Sequence, residues 1–228
     1  MKTLFSATIA ATIALSALTF GAVARAQDAA AAKAGDAAAG QKKNAMCIGC
    51  HGIVGYQSSF PEIYKVPKIA GQNAKYLASA LTAYKKGERK HPTMRGIAES
   101  LSDQDILDLA AYYETQGGPH AELPAEAQPA PAGAVAELLT KGNCAACHGA
   151  NFSKPIDGSY PKLAGQHADY LFYALKAYKT DAHALVGRGN PIMAAQAKPY
   201  STAELKEIAA YISSLPTDLK TVPQSKFK

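Results

Sequence analysis

Apolar residues recur along most of this chain at the three-and-four spacing of helices buried on one side, and strand-like alternation is absent. Tyr76, Leu77, Ala80, Leu81 and Tyr84 share one face of a predicted helix, and Tyr170, Leu171, Ala174, Leu175 and Tyr178 share one face of another. Two further stripes, Ile106, Leu109, Ala110 and Tyr113 in one and Leu205, Ile208, Ala209 and Ile212 in the other, predict a second pair of helices. Ser102-x-x-Asp105 and Ser201-x-x-Glu204 stand where capping boxes should start that pair, each hydroxyl and acid accepting a backbone N–H the helix leaves free. The second matches the motif better, because Glu reaches back more easily than Asp. A shorter helix is expected from near Asp36 into Cys47, with a counterpart before Cys144.

These elements come in two sets. Residues 67–87 read PKIAGQNAKYLASALTAYKKG and residues 161–181 read PKLAGQHADYLFYALKAYKTD, identical at 13 of 21 positions without a gap. A C-x-x-C-H-G string lies upstream of each copy, and a P-x-M run followed by a serine-capped helix lies downstream. Three landmarks in one repeated order identify a duplicated domain. Between the copies, Gly117-Gly118-Pro119 and the Ala/Pro/Glu-rich stretch reaching Gly133 break helices and offer little to bury, as a linker does. The expected organisation is two all-α domains in tandem, 27–117 and 133–228, joined by 118–132. Domains of that size gain much from any large apolar cofactor in the core.

The chain begins with Lys2, an apolar stretch from Leu4 to Val23 and then Ala24-Arg25-Ala26, the charged, apolar, small-residue order of a cleaved secretory signal peptide over 1–26. A retained membrane anchor is the alternative, since the stretch approaches a spanning length, but Ser6, Thr8, Thr12, Ser16 and Thr19 dilute it. Removing Lys2 and Arg25 takes the formal net charge from +6 to +4. A balance this mild favours an acidic protein partner or a membrane surface only weakly. Basic residues are dispersed and not interleaved with aromatic ones, so nucleic-acid binding has little support.

All four cysteines lie in two strings, Cys47-Ile48-Gly49-Cys50-His51 and Cys144-Ala145-Ala146-Cys147-His148. Two thiols three residues apart on a helical turn each add to one vinyl group of a single haem, and the next residue then projects an imidazole at the iron. This is the attachment signature of haem c, so two covalently bound haems are expected. Paired C-x-x-C motifs also occur in zinc sites and redox disulfides. A zinc site does not require histidine after both pairs, and a thioredoxin-like motif belongs in a strand–helix context this chain lacks.

The sixth iron ligand follows by elimination among four methionines. Met1 leaves with the signal peptide and Met46, beside Cys47, cannot reach the far face of the haem. Met94 and Met193 remain, one per domain, in loops that read His91-Pro92-Thr93-Met94 and Asn190-Pro191-Ile192-Met193. They stand 47 and 49 residues after the first cysteine of their domains, by 94 − 47 and 193 − 144. An isolated Met is more often core filler, and the repeated placement after proline reverses that expectation. His91 and His183 are the rival ligands. Together with His120 and His167 they recur at no equivalent place in both domains and read as surface or local hydrogen-bonding residues.

Taken together, C-x-x-C-H-G, P-K-[IL]-A-G-Q, the P-x-M loops and L-S-D-Q-D…L-A-A-Y resemble the di-haem cytochromes c4, built from two class I cytochrome c domains, over nearly all the chain after the signal. The resemblance implies irons held by His51 with Met94 and by His148 with Met193. It also implies proline carbonyls at Pro67 and Pro161 that accept the other ring N–H of each histidine, and a periplasmic shuttle toward a membrane terminal oxidase. The upstream partner would be another cytochrome or a quinol-oxidising complex. The second domain departs from the pattern at Pro199-Tyr200, where the first has Ser100-Leu101.

His and Met fill both axial positions, so no coordination site is left for a substrate and an electron carrier is expected rather than an enzyme. A di-haem peroxidase or a thiosulfate-oxidising cytochrome is the rival reading and would need an iron with a displaceable ligand. Residues 27–128 carry 11 basic and 11 acidic side chains, and 129–228 carry 11 and 7, so the second half is the better fitted to an acidic partner.

Overall fold

The structure is a computed structural model and describes residues 34–117, 122–180 and 183–223. The stretch expected to be a signal peptide, Gly118, Pro119 and His120 lie outside the described residues. The first domain runs α1 (Ala37–Lys43), α2 (Ala45–His51), β1 (Gln57–Ser58), β2 (Tyr64–Lys65), α3 (Ala74–Lys86), β3 (Arg89–Lys90), α4 (Pro92–Glu99) and α5 (Asp103–Thr115). The second runs α6 (Gly133–Gly142), α7 (Ala145–His148), α8 (Ala168–Ala177), β4 (Gly187–Arg188), α9 (Pro191–Ala197) and α10 (Thr202–Ser214). Among the described residues no helix is long and apolar enough to cross a membrane.

Both capping boxes close. Ser102 Oγ accepts the Asp105 amide at 3.1 Å and Asp105 Oδ2 accepts the Ser102 amide at 3.0 Å. Ser201 and Glu204 repeat the exchange at 3.2 and 2.6 Å. The helices they start carry the predicted stripes into two cores. Leu77, Leu101, Ile106, Leu109 and Tyr113 are buried in one; Leu171, Leu205, Ile208 and Ile212 in the other. Tyr200, where the repeat departs from its pattern, is buried in the second core and its hydroxyl donates to the Leu138 carbonyl at 2.9 Å. A phenol thus occupies the core position that Leu101 fills in the first domain.

The structure differs from the sequence reading in three local respects. The helix expected from Asp36 into Cys47 is two helices that turn at the buried Asn44, and its counterpart turns at Asn143, a residue with φ of 46°. Helices of seven residues complete under two turns, too few for periodicity to show the break. Among the described residues four two-residue strands form, too short for any alternation to mark them. Finally, short helices α4 and α9 occupy the stretches expected to be loops.

The domains meet along an extensive contact. β3 pairs antiparallel with β4, setting Arg89 opposite Arg188. Tyr64 stacks on Tyr173 with ring centroids 4.3 Å apart, and Lys65, Lys75 and Lys176 pair with Asp169, Asp157 and Glu62 across the boundary.

α1 is held on α5 by one buried carboxylate. Asp108 accepts the Asp36 amide at 2.9 Å, Lys43 Nζ at 2.6 Å and Gln104 Nε2 at 2.8 Å. Those three donors, the Asp36 amide foremost, hold its carboxyl down at about 2. Gly40 lets the helices approach, since a Cβ there would collide with the Asp108 carbonyl. A depressed carboxyl stabilises a fold above its unfolded pKa, ~3.9, and ceases to as pH falls through the folded value. Asp108→Ala should therefore cost about 2–4 kcal/mol at pH 7, with the gap to wild type closing as pH falls from about 4 to 2. Denaturant titrations at both pH extremes check this, and equal stability at pH 7 would show that the carboxylate does not secure α1.

Candidate haem-binding sites

Cys47, Cys50 and His51 lie on the single short helix α2, and Cys147 and His148 lie on α7, with Cys144 as its N-cap. Both motifs therefore present two thiols and an imidazole from about one turn. Burial is the main influence on the first thiol of each pair, pushing Cys47 up to about 11 and raising Cys144 as well. Reactive or metal-binding cysteines need the thiolate, which an electropositive setting favours and apolar burial opposes. These surroundings suit thiols consumed in thioether bonds better than a zinc or redox pair.

The histidines are fixed by the carbonyls that the sequence analysis singled out. His51 Nδ1 lies 2.9 Å from the Pro67 oxygen, and His148 Nδ1 lies 3.1 Å from the Pro161 oxygen. A carbonyl only accepts, so Nδ1 carries the proton and the Nε2 lone pair is left for a metal. Burial lowers the pKa of both imidazoles, more than the carbonyl partners raise it, and so keeps them neutral as a ligand must be.

Met94 and Met193 stand in the first turns of α4 and α9. His91 Nδ1 accepts the Met94 amide at 3.3 Å, and Asn190 Oδ1 accepts the Met193 amide at 3.0 Å. Proline follows the cap in both, its fixed φ suited to the first helical position. The two stretches are cap-Pro-x-Met units in which His91 and Asn190 do the same work with different side chains. His183 Nδ1 likewise accepts the amides of Leu185 and Val186, both at 3.1 Å. The rival histidines His91 and His183 thus each have a local hydrogen-bonding role.

The sequence reading missed a cationic cluster at the domain contact. Arg89 donates to Tyr76 Oη at 3.2 Å and to Tyr170 Oη at 2.7 Å; Arg188 donates to Tyr170 Oη at 3.1 Å. Arg89 also lies over the Tyr84 ring at 4.7 Å, and Arg188 over Tyr178 at 5.2 Å. Arg89 Nε is buried without a hydrogen-bond partner among the described residues. Burial pushes the Tyr170 phenol up, yet the two guanidiniums outweigh it and leave the group down at about 8. Two half-buried guanidiniums among phenols suit anions, and the two carboxylates that a haem carries are of the right charge and class. The thiols, neutral imidazoles, methionines and this cluster all fit haem c. The arginines escaped notice because they stand 5 and 10 residues after Tyr84 and Tyr178, by 89 − 84 and 188 − 178, so aligning the repeats does not align them.

Comparison with known proteins agrees with the geometry. The cytochrome c family profile matches twice, over 37–116 and 132–216. Cytochrome c4 of Azotobacter vinelandii is 36% identical over 199 residues, covering 80% of this chain and 90% of that protein. The crystal structure of reduced recombinant cytochrome c4 from Pseudomonas stutzeri is 32% identical with a TM-score of 0.57, covering 80% of this chain and 100% of that one. A more distant relative, the thiosulfate dehydrogenase electron acceptor of Stutzerimonas stutzeri, is 29% identical over 176 residues, 74% of this chain and 78% of that protein.

The capped turns yield a prediction. Asn190→Ala removes the acceptor for the Met193 amide and should destabilise the second domain by about 1 kcal/mol. Thermal unfolding measures the cost, and an unchanged melting temperature would show that α9 does not need its cap.

Proposed function

Since the chain belongs to the cytochrome c family, and within it to the cytochromes c4, we propose that it is a periplasmic carrier that takes single electrons from one protein partner and delivers them to another. Haem c, when bound, supplies reversible one-electron chemistry at its iron. The four cysteines are those of two C-x-x-C-H attachment sites. In the proposed assignment Cys47 and Cys50 would tether one haem, whose iron His51 and Met94 would ligate. Cys144 and Cys147 would tether the other, whose iron His148 and Met193 would ligate.

The observation that carries this reading is the doubled arrangement of a neutral imidazole fixed through Nδ1 and a methionine fixed by its own helix cap. Side chains held in place from behind would ligate each iron from the protein, so that the protein would change charge with little rearrangement and offer a substrate no vacant position. Domains at 27–117 and 133–228, joined by 118–132 and exported by a signal peptide cleaved after Ala26, complete the proposal. A membrane terminal oxidase is the acceptor favoured by the family resemblance, with another cytochrome or a quinol-oxidising complex as donor. A second reading of the donor rests on the thiosulfate dehydrogenase electron acceptor, which makes a thiosulfate-oxidising enzyme the alternative source of electrons.

The intact mass of the mature protein should exceed that of residues 27–228 by two haems and keep the excess through acid-acetone extraction. Replacing Met94 or Met193 should abolish the methionine-to-ferric-iron charge-transfer band of one haem and lower its potential, leaving the other nearly unchanged. Retention of the band in both variants would transfer the assignment to His91 or His183.

In stopped-flow, the protein should exchange electrons rapidly with a partner cytochrome or oxidase and turn over neither peroxide nor thiosulfate alone. Its rate with an acidic partner should fall as salt rises, because steering by the basic second half is screened within a Debye length of ~8 Å at physiological ionic strength. Substantial turnover with native ligation would overturn the carrier reading in favour of an enzyme.

A further inference from the structure

Each P-K-[IL]-A-G-Q string ends in a buried glutamine that reaches into the other domain. Gln166 Oε1 accepts the Lys68 amide at 3.0 Å while its Nε2 donates to the Lys68 carbonyl at 2.9 Å. Gln72 does the same to Lys162, accepting its amide at 2.9 Å and donating to its carbonyl at 2.9 Å. Each Oε1 also accepts the amide of its own next residue, Asn73 or His167, at 3.0 Å, which fixes which way round the side-chain amide lies. The glutamines are only 3% and 4% exposed.

The amides they hold belong to particular peptide groups. The N–H of Lys68 shares one peptide with the carbonyl of Pro67, which accepts the Nδ1 proton of His51. The N–H of Lys162 shares one with the carbonyl of Pro161, which accepts from His148. A peptide that donates at nitrogen is polarised toward its oxygen, so it accepts more strongly there. A stronger acceptor at Nδ1 makes an imidazole a more basic ligand, and a more basic ligand favours the oxidised iron.

We propose that Gln72 and Gln166 are positioning residues that act crosswise, Gln166 of the second domain tuning the histidine of the first and Gln72 of the first tuning that of the second. The chain of contacts is His51 to the Pro67–Lys68 peptide to Gln166, and His148 to the Pro161–Lys162 peptide to Gln72. Each iron's potential then depends on whether the two domains are docked. This inference rests on the reading of His51 and His148 as iron ligands.

The test uses holoprotein labelled with ¹⁵N-histidine, in wild type and in Gln72→Leu and Gln166→Leu, with potentials followed haem by haem through resolved haem-methyl NMR signals. Gln166→Leu should raise the potential of the haem attached at Cys47 and Cys50, increasing its reduced-to-oxidised ratio at fixed poise by about twofold or more. It should also shift the His51 Nδ1–H resonance and leave the other haem in place. Gln72→Leu should give the mirror result. Gln72→Asn and Gln166→Asn keep an amide in the contact but shorten its reach; they should give smaller shifts of the same sign, and they serve if either leucine variant fails to assemble.

A purely structural role, in which the domains merely loosen, would move both haems together in either variant and overturns the crosswise relay, as would potentials that do not move. Wild-type spectra keep the two layers apart. If the rings of His51 and His148 lack the large shifts of iron-bound nitrogen, the ligand reading itself fails; if they show them and the crossed pattern is absent, only the relay fails.

Discussion

The hydrogen bond from a histidine Nδ1 to a proline carbonyl is the contact on which most of this architecture turns. A helix can deliver two thiols and an imidazole on one turn, but it cannot by itself choose the ring's tautomer or rotation. The Pro67 and Pro161 oxygens do so, and they must then be held in place themselves. Four residues on from each proline the chain reverses at Gly71 (φ 84°) and Gly165 (φ 64°). Side chains are excluded there twice over, by the left-handed backbone and by contact: a Cβ on Gly71 would lie 2.8 Å from the Asp218 carbonyl oxygen. One residue later comes the glutamine that crosses the domain boundary, and then the residues that open α3 or α8. A six-residue string thus orients an imidazole, makes a turn, joins two domains and precedes a helix, which accounts for how closely its two copies agree.

The electrostatics of the domain contact divide into strong and weak parts. Lys65–Asp169, Lys75–Asp157 and Lys176–Glu62 are partly solvated, and pairs of that kind contribute roughly 0–1 kcal/mol each. The buried glutamine exchanges and the stacked Tyr64 and Tyr173 rings are not screened by salt in the same way. Arg89 and Arg188 oppose one another across the β3–β4 pair, a repulsion that their shared acceptor, the Tyr170 hydroxyl, offsets in part. Any anion that neutralises the arginines would also lessen the repulsion between the two domains at this point.

Much of this was legible in the residues alone, and what was not has a common cause. The stripes on α5 and α10, their capping boxes and the C-x-x-C-H strings are local patterns spanning a turn or more, and all were readable. The stretches holding Met94 and Met193 were read as loops, because α4 and α9 are so short that only the cap and the proline mark them. The partners Arg89 and Arg188, the Gln166–Lys68 and Gln72–Lys162 exchanges and the Tyr64–Tyr173 stack join residues about 90 to 110 positions apart. No periodicity encodes such pairs. The duplicated P-K-[IL]-A-G-Q string was a signal that something shared was under constraint, but a repeat does not reveal that its two copies bind each other.

The stretch between the domains shows why composition alone understates order. Rich in Ala and Pro, it offers few side chains to bury and reads as a tether. Yet Ala127 is 7% exposed and its amide donates to the Ala150 carbonyl at 3.2 Å, the Pro124 carbonyl accepts from Asn151 at 2.7 Å, and the Pro129 carbonyl accepts from Tyr211 at 2.9 Å. Proline-rich chain is already extended before it docks, so it forfeits less entropy on ordering, and its carbonyls remain free to accept. From the other end, Lys220 donates its amide to the Ala70 carbonyl at 3.0 Å, carrying the tail of the second domain back onto the first. Linker and tail thus restrain the contact from both sides of the second domain.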